Sequence, residues 1–214
     1  MASSARRVFE KTIARVDGLL ALHPEIHGTR GRPQQAVSDL LRGALVLALA
    51  ALDALVVDSV VEAVPRLAKK GALGPTVSKW AKDCSDKIVA CFADDDPPAA
   101  LARLCGEELG SQTFQRSAAI EGVLRDVLGC EGLWEEAASR LIADGGKREA
   151  REVVERLDKY VTRRNRIVHG GDAKAHRTAT EPIRLDYVTN AVVLVRAVGE
   201  AVTAVVERRT RVRL

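Results

Sequence analysis

The sequence predicts an all-α helical bundle, and three observations carry that reading. The apolar content, 47% of 214 residues, is aliphatic; the aromatics are only two Trp, two Tyr and three Phe. Alanine and leucine are strong helix formers, and aromatic-poor chains seldom build β-sandwiches. Apolar residues recur at three- and four-residue steps along most of the chain, with no convincing strand alternation. Pro and Gly cluster between these periodic stretches, where they punctuate rather than interrupt.

The elements follow in order. Residues 4–22 form an amphipathic helix, with Val8, Ile13, Val16, Leu19 and Leu20 on one side. A polar loop with Pro24, Gly28, Gly31 and Pro33 comes next. The second helix begins after Pro33 and runs to about Val64, where Pro65 discourages further helix. Its middle, "GALVLALAALDALVVDSVV", is apolar on nearly all faces, as suits a central or interface helix. Residues 66–110 are less regular: a "KKGALGP" turn, a helix from about Thr76 to Phe92, a solvated "DDDPP" break, and a short helix opened by Pro98. They read as a helical insertion, or an additional helical segment, beside the bundle. A helix from about Thr113 to Leu128 follows, then a short one carrying Trp134 and Leu141. "DGG" (Asp144–Gly146) is a stop. The next helix carries Val153, Val154, Leu157, Tyr160 and Val161 and ends near Gly170 and Gly171, which suit a left-handed cap. Thr180 or Glu181 caps the last helix, with Pro182 in its first turn and its end near Arg209. Residues 1–214 make a single domain with a basic tail at 208–214.

Charge and cysteines narrow the class of protein. The net charge of +4 is mild, but residues 147–177 hold ten Lys/Arg against five Asp/Glu, and residues 208–214 hold four Arg and no acid. Cys84, Cys91, Cys105 and Cys130 form no C-x-x-C pair, so reduced, packed thiols are expected in place of a zinc site. The first twenty residues lack the apolar core of a signal peptide. The longest unbroken apolar run, Gly43 to Leu52, is about half of what a membrane span needs. The expectation is a cytoplasmic protein with no membrane partner.

The stretch with most chemistry is "RRNRIVHGGD", Arg163 to Asp172. On an ideal helix Arg164 and His169 point about 140° apart, while Asn165 and Arg166 each share a face with His169. One reading is a basic last turn that complements the helix dipole. The other is a phosphate site, reached if the helix loosens near Ile167 or if Arg164 reaches around. Cleaving RNA by internal attack needs a base for the 2′-hydroxyl, an acid for the leaving oxygen and cations for the phosphorane. Histidine fills either proton role near neutral pH, and arginine offers a permanently charged fork. No metal or other cofactor is needed, and no paired carboxylates of the magnesium-binding kind are evident.

A second constellation lies on the apolar helix, where Arg42, Val46, Leu49, Asp53, Val57 and Val60 share one stripe. Asp53 either marks a narrow solvent face with Asp39 and Asp58, or pairs with an arginine or orients His169 from a facing helix.

"LLRGALVLALAALDALVVD" followed by "LDKYVTRRNRIVHGGD" resembles the HEPN superfamily of all-α domains, most closely its RiboL-PSP-HEPN branch. The hallmark is R-x(4–6)-H, often with Asn after the Arg. Arg164, Asn165 and His169 match it, and Arg163 offers a second spacing. Asp53 matches the acidic position of the earlier helix and Arg42 the arginine before it. The resemblance implies a HEPN-type bundle that usually dimerises with the two motifs facing each other. Many members are metal-independent endoribonucleases acting as toxins or in antiviral defence; others are inactive interaction modules. It implies catalytic roles for Arg164, Asn165 and His169, and supporting roles for Asp53, Arg42 and Arg163. An antitoxin or sensor, if there is one, is a separate protein. The alternatives are a catalytically silent dimer that binds a protein or a nucleotide, and a nucleic-acid binder working through the "ERRTRVRL" tail.

Overall fold

The computed structural model describes residues 3–27, 35–73, 85–141, 149–170, 172 and 180–211. Those residues form eight helices and no strand: α1 Ser4–His27, α2 Gln35–Ala68, α3 Ser85–Phe92, α4 Pro97–Gly110, α5 Ser117–Leu128, α6 Leu133–Arg140, α7 Ala150–Gly170 and α8 Leu185–Arg211. The protein is an all-α bundle, as the aliphatic composition predicts.

Helix α2 is the axis. Leu41, Leu45, Leu49, Leu52, Leu55 and Leu67 are all at most 1% exposed, because α1, α4, α5, α7 and α8 pack around it. One continuous apolar cluster draws side chains from α1, α2 and α4 through α8. Helix α3 lies against α4, which in turn lies against α2, so the described part of residues 66–110 is a helical pair on the flank of the bundle. The expected helix from Thr76 is described only from Ser85 onward; Thr76 to Cys84 lie outside the described residues.

Helices α2 and α8 are each long and apolar enough to cross a membrane, with 56% and 67% of their most apolar windows buried inside the bundle. Counting unbroken apolar runs does not reveal this in α2, because Asp53 and Asp58 divide a long apolar helix.

Several boundaries move, each for a physical reason. Helix α2 continues through Pro65 to Ala68. A proline inside a helix costs about 3 kcal/mol, and the burial of Ala63, Val64 and Leu67 around it offsets that cost. Helix α1 runs on to His27, past the expected end at residue 22. Helix α5 starts at Ser117, four residues late, because its first turn is capped from another helix. Asp158 of α7 accepts from Ser117 N (3.0 Å) and Ser117 Oγ (2.9 Å). The last helix starts at Leu185, beyond Pro182, because the backbone of Glu181 and Pro182 is bonded elsewhere, as described below.

The basic end is structured through Arg211. Arg208 pairs with Glu136 (2.6 Å) and Arg211 with Glu207 (2.9 Å). Arg209 donates to the carbonyls of Leu128 (2.9 Å) and Ala72 (2.7 Å), tying α8 to the ends of α5 and α2. Arg209 is thus engaged within the fold, Arg208 and Arg211 remain exposed, and the rest of the expected basic tail, 212–214, lies outside the described residues. Cys105 and Cys130 are buried, and burial pushes their thiols up to about 12 and about 11.

Candidate active site at the end of α7

Helix α7 carries the motif on its last two turns. Val153, Leu157, Tyr160 and Val161 face the core, and the edge of Tyr160 meets Tyr187 of α8 at 5.1 Å between ring centroids. That packing fixes the rotation of α7, so each residue of "RRNRIVHG" has a set direction.

Arg163 points inward and is 6% exposed; Arg164 and Asn165 are half-buried; Arg166 and His169 are exposed. Arg164 Nη1 donates to Asn165 Oδ1 at 3.2 Å, while Arg164 Nε is buried with no protein partner. The helix does not loosen at Ile167: α7 stays regular through Gly170. Arg164 and His169 therefore keep their separation of about 140° around the axis, and the first route to a one-chain phosphate site is closed. A phosphate can meet both only if the flexible Arg164 swings around or a second surface supplies the other side.

Arg163 and Arg42 are not free phosphate ligands. Both converge on Asp172 Oδ2, Arg163 through Nη2 at 2.6 Å and Arg42 through Nε at 3.1 Å. Arg42 also bonds Asp39 Oδ1 (3.1 Å) and the carbonyl of Glu181 (2.7 Å). Arg163 also reaches the carbonyls of Glu181 and Pro182 at 3.1 and 3.2 Å. Its Nη1 lies 3.0 Å from Glu181 Oε1, and Arg166 Nη1 lies 3.0 Å from the other Glu181 oxygen. Two guanidiniums on one buried carboxylate make a strong clamp, because removing one partner of a buried ion pair costs about 3–5 kcal/mol.

Asp172 is the residue that sequence reasoning missed. It is 1% exposed and has a φ of 59°, the only positive φ among the described non-glycine residues. Its N–H donates to Arg166 O (3.0 Å), six residues back and one residue further than a Schellman bond reaches, and its carbonyl accepts from Glu181 N (2.9 Å). The left-handed residue expected at the glycine pair is thus Asp172 among the described residues; Gly170 is not left-handed, and Gly171 lies outside them. The usable signal was an Asp directly after two glycines, since Asp tolerates that backbone region better than most residues.

Asp53 departs from expectation. It bonds neither Arg42 nor His169: Oδ1 accepts from Phe114 N at 2.6 Å and Oδ2 from Gln115 Nε2 at 3.0 Å. Its stripe alignment with Arg42 is real on the helix, but α2 is long and Asp53 faces the α4–α5 junction instead. His23, far from the motif in sequence, is buried at 8% exposure, and His176 lies outside the described residues.

Beside the motif, Gly43, Val46, Leu47 and Ala50 of α2 and Ile167 of α7 line an open, mostly apolar groove of about 460 Å³, with Asp39 and Arg42 also in its wall. Val168, on another face of α7, is 48% exposed. Tyr187 lies near the Arg163–Glu181 cluster; burial and then Tyr160 push its phenol above the ordinary value.

No known protein-family model, curated protein or solved structure matches this chain significantly.

Proposed function

We propose that the protein is a metal-independent endoribonuclease of the HEPN type, acting as a toxin or defence effector in the cytoplasm. The observation that supports this most is the end of α7. An exposed histidine, a half-buried arginine with an uncommitted Nε and an asparagine sit within six residues, on a helix end anchored by a buried ion cluster.

In the proposed reaction His169 takes the proton of an RNA 2′-hydroxyl. The O2′–P bond forms and the P–O5′ bond breaks; the 5′-oxygen takes a proton, leaving a 2′,3′-cyclic phosphate and a 5′-hydroxyl end. Arg164 carries the charge of the phosphorane, and Asn165 orients Arg164 or the phosphate. The reaction needs both a base and an acid, and each chain offers one histidine at the motif. A second copy of the chain, brought motif to motif as the HEPN resemblance implies, supplies the other. The same pairing answers the helical geometry, because Arg164 of one copy and His169 of the other can then share a phosphate. Arg42 and Arg163 support the helix end and leave the phosphate to Arg164.

The test is cleavage of RNA in EDTA by the wild type and by His169→Ala. Cleavage by the wild type alone, with unchanged helical circular dichroism in the variant, is the expected result. An undiminished variant, or an absolute magnesium requirement, would overturn the proposal.

The unbroken helix favours a second reading, a catalytically silent dimer that binds a protein or nucleotide. It predicts tight self-association with no cleavage, and equal growth of hosts expressing wild type or His169→Ala.

A further inference from the structure

We infer that Asp172 is a positioning residue that holds the His169 end of α7 against α2. Its bearing on turnover rests on the ribonuclease reading; the clamp itself does not.

The inference starts from a departure from backbone preference. An aspartate at φ 59° adopts a conformation that L-residues rarely choose, so its surroundings must hold it there. Every described polar contact of Asp172 does so. The carboxylate receives Arg42 from α2 and Arg163 from α7 on one oxygen. The N–H closes the last turn of α7 at Arg166 O, and the carbonyl receives Glu181 N. One residue therefore links three things: the end of α7, the first turns of α2, and the approach to α8. His169 lies three residues before it, inside the turn that the Asp172–Arg166 bond closes.

The clamp also decides what faces solvent. Arg163 and Arg42 are drawn inward and neutralised, which leaves Arg166 and His169 exposed and Arg164 half-buried. Without the carboxylate, two buried guanidiniums would repel each other and the helix end would loosen. Helix ends fray unless they are tied down, so the order of His169 depends on this tie.

Asp172→Asn tests it. Asparagine has the same shape and tolerates a positive φ, so the variant removes the charge and leaves the backbone allowed. Amide hydrogen exchange is measured along α7, and steady-state RNA cleavage in parallel. Exchange at Ile167–Gly170 is expected to rise by at least about tenfold while Val153–Val161 stay protected. Cleavage is expected to lose at least about tenfold in kcat with KM changed by less than about threefold. Should the asparagine variant fail to fold, Arg42→Gln removes one of the two cations and is expected to show the same pattern. Unchanged exchange at Ile167–Gly170 in a folded variant overturns the clamp. A loss confined to KM overturns the positioning role. Raised exchange in a protein whose wild type cleaves nothing supports the clamp and overturns the ribonuclease reading instead.

Discussion

At the scale of single residues, the protein places its acids at backbone junctions. Asp53 and Asp158 bond the Phe114 and Ser117 N–H groups, and Asp172 serves Arg42 and Arg163. Asp53→Ala should therefore lower stability by about 1–2 kcal/mol, the usual value of a cap whose N–H is left unpaired. Denaturant unfolding measures this, and RNA cleavage per folded molecule should be unchanged; a loss of cleavage with stability intact would return Asp53 to the active site. The thiol of Cys105 gives a pH signature. Burial raises it to about 12 from an ordinary value of 9.0. In the fold it keeps its proton while the unfolded chain ionises. Its contribution is complete below pH 9.0 and is lost as pH climbs from there toward about 12. The stability difference between wild type and Cys105→Ala should narrow between pH 8 and pH 10.5, as followed by thermal unfolding. Residue roles were legible only in part. Arg163, Arg164, Asn165 and His169 stand out by type and spacing, since these four cluster at one helix end, and Arg42 stands out as a charge on an apolar helix. Asp172 was overlooked because its partner on α2 lies 130 residues away, and no periodicity reports a contact between a turn and a distant helix. Asp53 was misplaced because a helical wheel gives direction without saying which neighbour waits there.

At the scale of elements, helix existence followed from apolar period and helix ends did not. The ends are decided by side chains from elsewhere: Asp158 starts α5, and the Arg42–Asp172–Arg163 cluster takes the backbone groups that would have opened α8 earlier. Pro65 misled for a related reason, since packing of the surrounding turn outweighs its local cost. Close approach of α1 and α8 is the feature most sensitive to one atom. A Cβ on Gly199 would lie 2.4 Å from Phe9 Cζ and 3.2 Å from Leu55 Cδ2. Phe9 is 5% exposed and has little room to turn. Gly199→Ala should destabilise by about 1–3 kcal/mol, or roughly 2–4 °C in Tm per kcal/mol for a chain of this size. An unchanged Tm would mean that α1 and α8 separate without penalty.

At the scale of the whole molecule, the bundle turns an extended motif into a surface. Packing of Tyr160 against Tyr187 sets the face that α7 shows, and the Asp172 clamp fixes its end. The all-α class was open to view in composition and period. The composite nature of the proposed site was visible only as a conflict, the angle of about 140° between Arg164 and His169 on a helix. The unbroken α7 sharpens that conflict, so one phosphate meets both side chains only through a swing of Arg164 or through the pairing of two copies proposed above. The most direct measurement is the chemistry of the cut ends. RNA incubated with the wild type in EDTA should acquire new 5′-hydroxyl and 2′,3′-cyclic phosphate ends, and none should form with His169→Ala. New 5′-phosphate ends, or ends that form equally with the variant, would contradict the account.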